Sequence, residues 1–237
     1  MKKVIIILVV VFMAMNSYCQ NIFISGNGQD IKGKTIRLAI VKDRLSMLEK
    51  DVDETVLGKE DTSFNFNLTL SSPTEVIIKV DLFDYRFIAK PGQKYNLHIL
   101  PFNYTKDDSL AAFTYNFSLP IELKQETDDG INNAMLAFDT TLDDFLYNNH
   151  RLLFIKDSNA MDSLWMLLYK FGSTTTKGTY AELYYSYEVA QVAYGLNLMS
   201  RMKIKDSLFA NSPILYSNVG YMDCFKTVFG QYFSQGY

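Results

Sequence analysis

Residues 86–100 read RFIAKPGQKYNLHIL, and their reading decides the N-terminal half of the chain. Residues 86–89 and 94–100 are rich in aromatic and aliphatic side chains, and Lys90-Pro91-Gly92-Gln93 stands between them. Proline presets φ for the second position of a β-turn, and glycine accepts the positive φ that a type II turn requires next. The stretch predicts strand, turn, strand: a hairpin that closes a β-structure. No residue in it has the look of a catalyst.

Upstream, residues 63–70 read SFNFNLTL. Phe64, Phe66, Leu68 and Leu70 share one face, and Ser63, Asn65, Asn67 and Thr69 the other. A period of two over a stretch this long marks a half-buried strand. Residues 21–25 and 34–41 predict further strands, the first ended by Gly26-Asn27-Gly28. Residues 45–57 are polar on one face and leave the choice of element open. Residues 75–83 predict a mostly apolar strand after the Ser71-Ser72-Pro73 break, and residues 111–119 one more. Short strands with turn signals between them, and no helix-length segment, argue for an antiparallel β-sandwich or barrel over a βαβ sheet.

Residues 120–130 form a polar, acidic break that ends in Thr127-Asp128-Asp129-Gly130. The hydrophobic period then changes. Ile131, Met135, Phe138, Leu142, Phe145 and Leu152 fall at helical spacing, with Asp128 or Asp129 as the expected cap. Asp157 or Ser158 caps a second helix with Met161, Leu164, Trp165, Leu168 and Phe171 in its stripe and Gly172 as its C-cap. Thr179 and Glu182 fit a capping box for a third helix, with Leu183, Tyr187, Ala190, Tyr194 and Leu198 inward. Pro213 interrupts, and Asn218 is placed to cap a last helix carrying Tyr221, Phe225, Val228 and Tyr232. The expected fold is α+β and segregated: an antiparallel β-sandwich over residues 20–122, then an α-helical region over residues 126–237.

Hydrophobic residues make up 48% of the 237 and charged ones 21%, enough for a sizeable core in a globular chain. The 16 Tyr and 17 Phe fit aromatic core packing, with a sugar- or peptide-binding surface as the alternative. The formal charge is −3, and −5 without Lys2 and Lys3. With no Lys/Arg cluster, no nucleic-acid partner is expected.

Residues 1–19 have the pattern of a secretory signal peptide. Lys2-Lys3 precede an apolar run, Val4 to Met15, too short for the roughly 20 residues of a membrane span. Ser17 and Cys19 occupy the small-residue positions of a cleavage site before Gln20. An exported chain of the periplasm or cell envelope follows, with no transmembrane span after cleavage. Lipidation of Cys19 is disfavoured, because Asn16 and Tyr18 stand where an aliphatic and a small residue are needed. Cleavage leaves Cys224 alone, expected as a buried inert thiol, with no C-x-x-C dithiol.

The remaining chemistry is sparse. His98 and His150 lie in a strand and at a helix end, with no nucleophile signature beside them. Asp128-Asp129 and Asp143-Asp144 are adjacent pairs, whereas a glycosidase needs opposed carboxylates roughly 5–9.5 Å apart. Asp51, Asp53 and Glu54 lack the glycine and distant glutamate of a calcium loop. Gly26-Asn27-Gly28 lacks the lysine and helix of a phosphate loop. No residue is given a catalytic, cofactor-binding or metal-binding role, and no cofactor is expected.

Three features carry a family resemblance: Ile24-Ser25-Gly26, the alternating strand from Phe64 to Leu70, and the pattern Phe87, Pro91, Gly92, Leu97. With them the chain resembles the N-terminal β-sandwich module of unknown function in exported TlpA-like (thioredoxin-family) thiol-disulfide oxidoreductases of Gram-negative bacteria. Pro213-Ile214-Leu215-Tyr216 and the aromatic helix after it resemble the helical linker of those proteins. The family's thioredoxin domain, with its C-x-x-C, has no counterpart in these residues, so no redox residue carries over. The expected function is that of a non-catalytic envelope module that scaffolds, docks or binds a protein or glycan. The alternatives are the front of a redox enzyme whose thioredoxin domain lies downstream, and a stand-alone glycan- or peptide-binding surface protein.

Overall fold

The computed structural model describes residues 20–102, 117–125 and 130–234. The chain divides into two compact units, Met1–Ile40 with Lys50–Thr127 and Val41–Glu49 with Asp128–Tyr237. Strands come first and helices after, so the α+β arrangement holds.

Nine strands are found among the described residues: β1 (Gln20–Asn27), β2 (Thr35–Asp43), β3 (Leu48–Val56), β4 (Ser63–Leu70), β5 (Thr74–Val80), β6 (Phe83–Ala89), β7 (Lys94–Ile99), β8 (Phe117–Ser118) and β9 (Ile121–Gln125). They form two sheets, ordered β4-β1-β7-β9 and β3-β2-β5-β6-β8. The sheets are mixed, not wholly antiparallel: β1 pairs β7 in parallel, and β6 pairs β8 in parallel. Inward side chains of both sheets meet in one core that includes Ile22, Ile24, Phe64, Leu97, Ile36, Leu38, Ile78 and Phe87.

The predicted hairpin is not a hairpin. β6 and β7 flank the turn as expected but belong to different sheets. The turn itself is of the expected kind, with Gly92 at φ 77° and Gln93 N–H donating to Lys90 O at 3.3 Å. Type II geometry twists against a two-stranded ribbon and splays the strands it joins. The released strand finds β1 instead, starting with Phe23 N–H donating to Gln93 O at 3.2 Å. The Tyr95 hydroxyl accepts from Lys90 N–H at 2.7 Å and ties the turn back onto β7. Gly92→Ala is expected to lower stability by about 1–2 kcal/mol, because an L side chain at this φ is strained, and a Cβ there would also meet the Gln20 side chain. A thermal midpoint unchanged from wild type would contradict it.

Two other expectations change. The undecided stretch 45–57 contains β3, whose Asp51 lies 3.6 Å from Arg37 and 3.3 Å from Lys79. Residues 121–125, read as part of the polar break, are β9, paired antiparallel with β7. Ile121 and Leu123 pack against the core, and two apolar residues in alternation were too weak a signal beside the acidic stretch that follows. The strand expected at 111–119 is seen only as β8, and residues 111–116 lie outside the described residues.

The helices are α1 (Ile131–Phe154), α2 (Ser158–Thr174), α3 (Tyr180–Gly195), α4 (Arg201–Ile204), a π-helical turn (Lys205–Phe209), α5 (Val219–Phe229) and α6 (Gln231–Ser234). Gly130, at φ 65°, is the N-cap of α1 and gives no side-chain cap, while Asp128 and Asp129 lie outside the described residues. Asp157 caps α2 through Ala160 N–H at 3.0 Å, and Asn218 caps α5 through Tyr221 N–H at 3.0 Å, both as expected. Gly172 is not a C-cap, since α2 runs on to Thr174. Thr179 caps α3 through Glu182 N–H, but the Glu182 carboxylate accepts from Gly178 N–H, one residue short of a capping box.

α3 is the spine of the helical unit. Tyr184 and Tyr185 enter one core with Phe138, Leu142, Leu164 and Leu168 of α1 and α2. Tyr187 and Ala190 enter a second core with Ile204, Tyr221, Met222, Cys224 and Val228. The single inward stripe read from the sequence is therefore too narrow. A helix covered on most of its circumference shows no clear polar face, and Leu198 falls beyond its end at Gly195.

Candidate functional site

Two places bring chemically useful groups together, one in each unit. The first is a cleft of about 340 Å³ at the ends of β1 and β7. Parallel pairing sets Asn27 opposite His98. His98 Nδ1 lies 2.7 Å from Asn27 Oδ1. An amide oxygen only accepts, so Nδ1–H donates in this contact. Gln29 and Thr62 line the same cleft. The arrangement orients an imidazole against an amide. It does not supply the carboxylate that steadies a catalytic histidine in a triad.

The second place was not read from the sequence. The charges of Asp139 on α1 and Asp223 on α5 both bear on Glu188 of α3. The Tyr184 hydroxyl donates to Asp139 Oδ1 at 2.7 Å, and Gln191 Nε2 donates to Glu188 Oε1 at 2.8 Å. Burial pushes the Glu188 carboxyl up to about 7, and the neighbouring Asp139 and Asp223 charges add to the shift. Burial also raises Asp139, opposed by its bond from Tyr184. The Tyr184 hydroxyl is pushed up by burial first, then by the Glu188 charge. The available signal was a carboxylate inside AELYYSYEVAQVAYG, a helix apolar almost all round, where a charge has no wet face to occupy.

The other residues singled out in the sequence do not assemble. His150 is exposed on α1, with Nδ1 2.8 Å from Tyr147 O. Asp143 and Asp144 are exposed on the same helix. Asp53 and Glu54 are exposed on β3. Cys224 is wholly buried, and burial pushes its thiol up to about 12, with the Glu188 charge contributing. Among the described residues, no group of three or more His, Cys, Asp or Glu is placed to hold a metal ion, and no helix is long and apolar enough to cross a membrane.

A scan against protein-family models and a search of curated proteins find no match for the chain.

Proposed function

We propose that the chain is an exported, non-catalytic module of the cell envelope, an N-terminal β-sandwich followed by a helical region, whose role is to dock or scaffold a partner. The state of Cys224 carries the reading. It is the one cysteine left once the leader is removed, it is 0% exposed, and its thiol is held up to about 12. A thiol that stays protonated is neither a good nucleophile nor a metal ligand. The resemblance to the front part of TlpA-like oxidoreductases supports the same role, since in that family the redox chemistry belongs to a different domain. The two facing sheets with a common core support the sandwich, and the leader pattern of residues 1–19 supports export.

A second reading, a surface that binds peptide or glycan, is favoured by exposed aromatics on the helical hairpin: Tyr147 is 80% exposed, Phe154 86% and Tyr169 79%. Aromatic faces are the usual platform for sugars and for extended peptides.

The purified chain is expected to show no disulfide-reductase turnover, and Cys224 is expected to react with a thiol reagent only after denaturant is added. Turnover above the buffer control would sink the non-catalytic reading. Peptide or glycan capture that is lost in a Tyr147→Ala, Tyr169→Ala chain would move the conclusion to the second reading.

A further inference from the structure

Glu188 lies half-buried in the middle of α3, a helix that packs against both α1 and α5. The carboxylate charges that act on it come from both neighbours: Asp139 and, from the exposed face, Asp143 on α1, and Asp223 on α5. Its hydrogen bond is neutral. Gln191 Nε2 donates to Oε1 at 2.8 Å, and Gln191 is itself held by Thr227 Oγ1 of α5, which donates to Gln191 Oε1 at 3.1 Å. Asp139 is likewise met by a neutral donor, the Tyr184 hydroxyl at 2.7 Å. Two cations are paired with other acids than Glu188 and Asp139, and one of them offsets the Asp223 charge. Lys226 lies 3.5 Å from Asp223, and Lys205 of the π-helical turn lies 3.4 Å from Asp206. α2 turns Leu164, Leu168 and Phe171 to this core and keeps Asp162 and Lys170 exposed. On α5, Cys224 is buried beside the cluster and stays a thiol.

Acid charges on α1 and α5 thus bear on one half-buried carboxylate of α3, and the bonds that hold Glu188 and Asp139 come from neutral donors. Such donors satisfy lone pairs without cancelling charge, so ionising every member sets like charges against one another across the helix contacts. We propose that the helical unit is a proton-responsive element, in which one proton bound at Glu188 sets how firmly α1 and α5 are held against α3. Loss of that proton loosens the unit, and mild acid tightens it.

The sign follows from linkage. The Glu188 carboxyl, raised to about 7 in the folded chain, returns to about 4.3 when unfolded. The stabilisation is fully present below the unfolded value, declines as pH rises between the two, and is gone above the folded value.

The chain has 1 Trp, Trp165, on α2, so its fluorescence follows the helical unit. Urea unfolding of the whole chain read this way is expected to give a folding constant roughly 50-fold higher at pH 5 than at pH 8. Glu188→Gln keeps the shape and a hydrogen-bonding oxygen but cannot ionise. It is expected to flatten that ratio to within about threefold of unity and to be more stable than wild type at pH 8. Asp139→Asn, which removes one repelling charge, is expected to shift the wild-type transition to lower pH without abolishing it. A Glu188→Gln chain that keeps the wild-type ratio would overturn the proposal. If that variant does not fold, carboxyl carbon-13 NMR of glutamate-labelled wild type decides. One glutamate titrating near neutrality supports the proposal, and a set that all titrates near the ordinary value of about 4.3 overturns it.

Discussion

Replacing Phe138 with alanine is expected to destabilise the helical unit by about 3–5 kcal/mol, the range for truncating a fully buried aromatic. Phe138 is 0% exposed and is the ring on which three helices converge. Phe171 of α2 meets it edge-on at 5.1 Å and 89°, Tyr185 of α3 lies at 4.7 Å, and Tyr184 lies edge-on at 6.3 Å. Alanine leaves a hole that no single neighbour can fill without breaking its other ring contacts, so collapse is limited and the upper half of the range is expected. Each lost ring pair adds roughly 0.5–1.5 kcal/mol beyond the area term. The damage also reaches the polar layer, because Tyr184 carries the hydroxyl that holds Asp139. Trp165 fluorescence during urea unfolding measures the loss. Phe138→Leu, which keeps most of the volume, is expected to recover more than half of it. A loss under about 1 kcal/mol for alanine would mean that the three-helix core is not packed as described.

What the sequence made legible, and what it hid, divides along one physical line. Features that depend on a residue and its near neighbours were readable. The alternation of residues 63–70 gave β4 with both ends correct. Asp157, Thr179 and Asn218 cap the helices they were expected to cap, because a short polar side chain before an apolar period solves a local problem of unpaired N–H groups. Features that depend on which distant segment fills a space were not. Residues 86–100 showed the turn but not that its arms part into two sheets, since pairing partners are not written in the turn. β3 was obscured by its charges, which are met across the sheet by Arg37 and Lys79. The acid cluster of Asp139, Glu188 and Asp223 joins residues from three helices, and spacing along the chain carries no trace of it. The two histidines, which drew attention by residue type alone, remain apart, and Asp143-Asp144 stay exposed on α1.

Phe64→Ala is expected to cost the β unit about 3–5 kcal/mol, and the reason lies in Gly26. Gly26 and Phe64 are cross-strand partners in the β1–β4 pair. A Cβ on Gly26 would run into the Phe64 ring, so the ring covers the space the glycine leaves. Glycine within a strand is poor at excluding water from the ladder, and an aromatic laid over it restores that cover. Phe64 is 2% exposed and packs on Phe66 at 5.4 Å, so the ring is fixed from its other side. Alanine at 64 therefore loses a buried side chain and uncovers the Gly26 backbone at once. Gly26→Ala alone is expected to cost about 1–3 kcal/mol, because the ring must be displaced from a packed core. In the Phe64→Ala chain the same change is expected to be neutral or stabilising, since the obstacle is gone and alanine fits a strand better than glycine. The double-mutant cycle then shows a coupling of at least about 1 kcal/mol. Amide hydrogen exchange along β1 and β4 reads all three variants. Additive losses would mean that Phe64 stabilises the sheet only as one more core residue, and that the glycine of the Ile24-Ser25-Gly26 motif is there for some reason other than the ring above it.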